Sequence, residues 1–362
     1  MRASSAAGRR GQVIAREFGW WITRKRRPWL GWRGRARLAG VREPRIKVSP
    51  EESEAIYHCM TRTVNGEWLF TDADKEMLRR LIWLLEEFCG LELLTYVIMS
   101  NHFHVLVRVF LASPISDEEL LRRYRLLHPA KTKHDKMRFE ILRAQLAANT
   151  PYALEWRQRM LRLMGDVSQF MKLLKQRFSI WFNKTHGRFG TLWAERFKSV
   201  LVEPSFDVVS KVAAYIDLNC VRAGIASDPK DYRFCGYAEA VAGNERARRG
   251  IAGVLGAGSW EQLHSEYRLL LFTSGSAITG KTGAIGFAEL QRALREGGKL
   301  ALPEVFRCKV RFFTQGAVLG TQAFVAEHLS RLGKHTPPRP LPELTDWGDL
   351  AVLRNIRRPL FA

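Results

Sequence analysis

The chain is 362 residues long and carries 58 Lys and Arg against 36 Asp and Glu, a formal net charge of +22. Its 46% hydrophobic and 11% aromatic residues are the composition of a packed chain, which excludes disorder over most of the length. No apolar run approaches the length that spans a bilayer, and Phe18–Thr23 is too short for a secretory signal, so the expectation is a soluble chain with a polyanionic partner.

Residues 1–47 hold 14 of the basic residues against Glu17 and Glu43, so +12 of the charge lies here. Arg24–Arg27 and Arg33–Arg37 are interleaved with Trp20, Trp21, Trp29 and Trp32. This segment reads either as a solvated, disordered basic arm or as an arm that attracts phosphates and stacks unpaired bases. Ile56–Thr63 reads as a strand closed by the turn Asn65-Gly66. Asp72 to Gly90 has helical spacing, Leu91–Met99 reads as a buried strand, and Ser100-Asn101 turns the chain into a strand over His102–Val109. Residues 111–164 read as a helical insertion: a helix over Asp117–Leu127, a basic polar stretch, then a helix from Pro151. Val167–Asn183 is an amphipathic helix, Phe197–Val202 a strand, and Pro204-Ser205 opens a helix that runs to about Val221 and stops at Gly224.

That order predicts an α+β, ferredoxin-like βαββαβ fold, with an antiparallel sheet, helices on one face and an added helix. Beyond residue 250 the expectation is mainly helical, over Trp260–Phe272, Phe287–Arg295 and Thr321–Leu332. Thr273–Gly286 reads as a linker and Arg311–Arg331 as a candidate helix-turn-helix. The organisation is thus an arm (1–47), a main domain (50–240) and a helical tail (250–362). Cys59, Cys89, Cys220, Cys235 and Cys308 form an odd set with no CxxC pair, as expected of free thiols in a reducing cytoplasm.

The most informative short motif is His102-Phe103-His104. On a strand, residues i and i+2 share a face, so both imidazoles point one way while Phe103 points into the core. Two neutral imidazoles are half of a divalent-metal site; equally, the spacing suits two polar residues on a solvated face. A second pair, Tyr215 and Asn219, lies four apart on one face of the helix from Ser205. Asn219 offers an oxygen ligand to complete the histidine pair, which would set the Tyr215 hydroxyl beside a metal-activated phosphate.

Tyr96-Val-Ile-Met-Ser-Asn-His-Phe-His-Val-Leu-Val107 resembles the histidine-hydrophobe-histidine motif of single-tyrosine HUH transposases, and is most similar to the REP-associated tyrosine transposases. Tyr57–Arg62, Gly190–Ser199 and Tyr215–Gly224 agree with the same family, in order, over about residues 50–240. The resemblance implies Tyr215 as nucleophile, and His102, His104 and Asn219 as ligands of Mg2+ or Mn2+. The implied substrate is DNA, single-stranded or hairpin palindromic, cut and rejoined through a 5′-phosphotyrosine. It also implies a bacterial chain acting in the cytoplasm, at the nucleoid. The family's Asn-Pro is Asn219-Cys220 here, which leaves ligand and nucleophile types intact. Arg177, Arg188, Arg196, Lys198 and Arg222 are candidate DNA contacts, each with a solvated or structural role as the alternative. His58 reads as structural and His186 as a helix C-terminal cap. Monomer and homodimer both stay open. The competing functions are a sequence-specific DNA-binding protein without cleavage and, less well matched, a metal-dependent RNA nuclease.

Overall fold

Strand β1 (Glu54–Arg62) pairs antiparallel with β3 (His102–Phe110) on one side and with β4 (Lys198–Val202) on the other. Strand β2 (Glu92–Ile98) pairs antiparallel with β3, so the first four strands stand in the order β2-β3-β1-β4. That is the ferredoxin-like order expected of βαββαβ. The structure is a computed structural model and describes residues 46, 48, 52–110, 114–273, 313–314, 316–331 and 350–354. The basic arm, most of the Thr273–Gly286 linker, the Phe287–Arg295 helix and Cys308 lie outside the described residues.

Helix α1 (Asp72–Cys89) starts at a reciprocal capping box between Thr71 and Asp74 and ends where Gly90 turns left-handed at φ 65°. The insertion is three helices: α2 (Asp117–Leu127), α3 (Lys133–Ala147) and α4 (Pro151–Leu161). The basic polar stretch is therefore helical, because Thr132 and Asp135 form a second capping box and Phe139 and Leu146 are buried. Helix α5 (Val167–Thr185) is capped by Asp166, whose carboxylate accepts from Ser168 and Gln169. Helices α1 and α5 pack together on one face of the sheet. Phe70, Phe103, Phe178 and Trp193 meet there at ring centroids 5.3 to 5.8 Å apart, edge-on or tilted.

The opposite face is covered by α6 (Phe206–Asp217), the short α7 (Asn219–Arg222), α8 (Gly236–Val241), α9 (Glu245–Leu255) and α10 (Trp260–Thr273). Helix α9 lies directly on β2: a Cβ on Gly250 would stand 2.5 Å from the Leu93 and Leu94 carbonyl oxygens. The added helix of the sequence analysis is thus α6, and it has the second face of the sheet.

The tail has the expected helices at Trp260–Thr273 and Gln322–Arg331, and two strands that were not expected. Gly316–Thr321 forms β5, parallel to β4, and Leu350–Arg354 forms β6, antiparallel to β5. Helix α11 (Gln322–Arg331) lies between them, so Arg311–Arg331 contains a strand–helix unit instead of a helix-turn-helix. The reason is that Gly316 and Gly320 frame the apolar run Ala317-Val-Leu319, whose Val318 and Leu319 are buried beside β4. Thr321 then ends the strand and caps α11, accepting from Phe324 N at 3.2 Å. Among the described residues no helix is long and apolar enough to cross a membrane, and Cys59, Cys89, Cys220 and Cys235 are buried without a disulfide.

Candidate functional site

Alternation along β3 turns Phe103 toward Trp193 and the α1/α5 face and leaves His102 and His104 on the α6 face. Their rings lie 5.2 Å apart, nearly perpendicular. Across the ladder Arg62 is the partner of His102 and Met60 of His104, which puts His58, one step further along β1, on the same face. His58 Nε2 is 2.9 Å from His104 Nδ1, and the two rings stack at 5.1 Å. His102 Nδ1 is in turn 2.6 Å from Oδ1 of Asn101, in the β2–β3 turn.

Helix α6 is buried along nearly its whole length, as its apolar sequence requires. It relaxes at Leu218 (ψ 0°) and resumes as α7, with Gly224 at φ 69° ending the run. The relaxed turn keeps Tyr215 and Asn219 toward the histidines. The Tyr215 ring is 6.0 Å from both His104 and His58, and the Asn219 side chain stands beside His102. Arg222 holds its guanidinium carbon 4.9 Å over the Tyr215 ring. Phe313 stacks on the other side at 4.4 Å, and Tyr215 is only 1% exposed.

Between these two residues, Asp217 points elsewhere and anchors the helix. Its carboxylate accepts from Thr95 Oγ1 at 2.7 Å on β2, from Tyr267 OH at 2.5 Å on α10 and from Tyr237 N at 3.5 Å on α8. One buried carboxylate therefore fixes the rotation of α6 against the sheet and two other helices.

The electrostatics keep all three histidines neutral at physiological pH. Burial lowers His58 to about 3 and His102 to about 4, the latter partly restored by Asn219 and lowered further by Arg62 and Arg222. Burial also holds His104 well below its ordinary value, with His58, His102 and Arg222 adding to the effect. Tyr215 is raised by burial, and Arg222 offsets part of that.

Neutral imidazoles are what a metal requires. Both Nδ1 atoms are engaged, so the two Nε2 atoms are the remaining donors, and the Asn219 amide stands beside His102. Among the described residues no group of three His, Cys, Asp or Glu can hold a metal. A divalent cation held by two imidazoles and an amide would have to take its other positions from water and a ligand oxygen.

The other candidates scatter. Lys198 pairs in register with Met60 on the histidine face and meets Glu195 at 3.1 Å. Arg196 is exposed just ahead of β4, and Arg188 lies in the α5–β4 loop against Phe182. Arg177 sits on α5 with Cys89 and His128, on the far face of the sheet from the histidines. His186 is the C-cap of α5 as expected, its backbone N–H donating to Phe182 O at 2.9 Å, and its Nε2 is 2.7 Å from Asp74 Oδ1 at the start of α1. Arg62, Asn101, His58 and Phe313 were not singled out as site residues from sequence. His58 and Arg62 lie in the family-like segment Tyr57–Arg62, but the parity that joins them to His104 and His102 depends on the β1–β3 register.

No protein-family model matches the chain, and no curated protein matches it. A solved structure described as a REP-associated tyrosine transposase bound to a REP hairpin is similar at 16% identity and a TM-score of 0.33, covering 57% of this chain and 87% of that chain.

Proposed function

We propose that this chain is a metal-dependent DNA strand transferase of the REP-associated tyrosine transposase kind, cutting and rejoining single-stranded or hairpin DNA through Tyr215. The observation that carries the reading is the meeting of Tyr215 and Asn219 with His102 and His104 on one buried face of the sheet. A structural role for these side chains would not need two neutral imidazoles, an amide and a phenol in one cluster with a cation above the phenol.

When bound, Mg2+ or Mn2+ supplies Lewis-acid polarisation of the scissile phosphate. His102, His104 and Asn219 would hold it through the donors named above. Tyr215 Oη forms a bond to phosphorus as the P–O3′ bond breaks, and the proton lost by the phenol is balanced by the one the 3′ oxygen takes up. The products are a 5′-phosphotyrosine and a free 3′-OH; attack by a 3′-OH reverses the step and restores Tyr215, so no nucleotide is consumed. Arg222 steadies the phenol oxygen both as nucleophile and as leaving group. Its Nε and Nη1 are buried without a partner, which suits them to phosphate oxygens. In this reading residues 50–240 are the catalytic unit, and the +12 arm adds salt-sensitive affinity for the strand.

His58 has a part in the same reading. For His104 to offer Nε2 as a lone pair, its Nδ1 must carry the proton and donate to His58 Nε2. His58→Phe should then weaken Mn2+ binding by about 10- to 100-fold, measured by calorimetry on the protein without DNA. Unchanged affinity would remove His58 from the account.

The second reading is a DNA-binding protein without cleavage, and the burial of Tyr215 beneath Phe313 favours it. The two readings part on one assay: incubation with end-labelled hairpin DNA and Mn2+. A transferase gives a denaturant-resistant protein–DNA adduct that Tyr215→Phe abolishes; a binder gives none. Cleavage by Tyr215→Phe at the wild-type rate would sink the tyrosine mechanism.

A further inference from the structure

Phe189 is 97% exposed and Trp68 is 79% exposed, yet both stand on loops that are tied down. The α5–β4 loop carrying Phe189 is pinned by Arg188 N to Asn183 O at 2.9 Å and by Asn183 Nδ2 to Gly190 O at 3.0 Å. Gly187 and Gly190, at φ 59° and 88°, reverse the backbone on either side of it. The β1–α1 loop carrying Trp68 is joined to this one: Val64 N donates to Leu192 O at 2.9 Å and Ala194 N to Arg62 O at 3.0 Å. The β1–α1 loop in turn meets the β2–β3 turn beside the histidine pair. There Asn101 donates Nδ2 to Gly66 O at 2.9 Å while its Oδ1 meets His102.

Arg188 and Arg196 lie on the α5–β4 loop, and Arg62 and Lys198 stand at the adjoining strand ends, against Glu67 and Glu195; Lys198 meets Glu195 at 3.1 Å, and Arg62 lies folded over Gly66. Arg188 Nη1 is buried and has no hydrogen-bond partner. An apolar ring held out in water on a fixed loop is unfavourable for folding alone, and the unpartnered Arg188 nitrogen next to it adds a second unmet demand. Flat π-faces set among cations are the chemistry of unpaired bases stacked between charged phosphates; a duplex hides those base faces in its own stack.

We infer that Trp68 and Phe189 form a base-stacking platform for an unpaired DNA segment next to the histidine pair, with Arg188 and its neighbouring cations on the phosphates between the bases. The inference rests on the strand-transferase reading for its choice of DNA, and its test is a binding measurement that needs no cleavage. Fluorescence anisotropy on the full chain, at one salt concentration, would compare a labelled single strand with the blunt duplex of the same sequence. Phe189→Ala and Trp68→Ala should each weaken the single strand by about tenfold and leave the duplex unchanged, and Phe189→Trp should keep the affinity where Phe189→Leu does not. Equal affinities for wild type and variants would overturn the platform. Equal losses on strand and duplex would overturn stacking, and tighter, equally sensitive binding of the matching RNA would overturn DNA as the occupant. An adduct at Tyr215 without the stacking effect defeats this inference alone; the stacking effect without an adduct defeats the cleavage reading alone. Thermal melts of the variants should match wild type, because both side chains are exposed.

Discussion

His104→Ala should reduce DNA cleavage by about three orders of magnitude or more while keeping most of the DNA affinity. The size follows from how much converges on that ring. His104 is 4% exposed, stacks on His58, lies edge-on to His102 and meets the Tyr215 ring at 6.0 Å. Alanine removes one of two imidazole donors from a set already short of protein ligands, and it frees His58 and Tyr215 from their shared neighbour. In the proposed reading affinity would be spared, because cations meeting phosphates would supply most of it and none of them acts through His104. The variant should also lose Mn2+ affinity, a second readout that does not depend on turnover. Wild-type cleavage by His104→Ala would show that the histidine pair serves packing only.

The largest stability effect should come from Asp217→Ala, at about 3 kcal/mol or more in denaturant unfolding near pH 5. Asp217 is fully buried and collects donors from β2, α8 and α10; alanine leaves the Thr95 and Tyr267 hydroxyls without their acceptor. Burial without a facing cation pushes Asp217 up to about 7, against the pull of Tyr267, Thr95 and the Tyr237 backbone. A carboxyl raised above its unfolded value contributes stability that is fully present below about pH 4 and is lost as the pH climbs through about 7. Wild type should therefore lose stability between about pH 4 and 7, and Asp217→Asn should flatten that slope. Identical slopes in the two proteins would show that Asp217 does not titrate in this range. Because the same contacts fix the rotation of α6, Asp217→Ala should also reduce adduct formation at temperatures where the chain remains folded.

Much of this was legible in the residues, for physical reasons that differ from place to place. Apart from α3, the elements from β1 to α7 follow from local signals: apolar periodicity in α1 and α5, period-two alternation in β3, and glycine stops at Gly90 and Gly224. The histidine pair and the Tyr215/Asn219 pair needed only strand and helix geometry, which is local. That the two pairs meet is a tertiary fact, suggested by the motif order and not by either motif alone. His58 and Arg62 were hidden because their face depends on which residue of β1 opposes His104, and register is invisible in a single strand. Phe313 was hidden because it lies far along the chain from its partner Tyr215. The tail misled because Ala317-Val-Leu319 is too short for its period to be read, so its glycines looked like turns between helices. Helix α3 was missed because its apolar residues are few, although Thr132 and Asp135 carried a readable start signal.

The most direct test of the central claim is mass spectrometry of the protein after incubation with single-stranded hairpin DNA and Mn2+. The account predicts one proteolytic peptide bearing a nucleotide joined through a 5′-phosphate to Tyr215, matched by release of a strand with a free 3′-OH. A nucleotide found on a different residue, or cleaved DNA with no protein-bound nucleotide under conditions that trap the adduct, would contradict it.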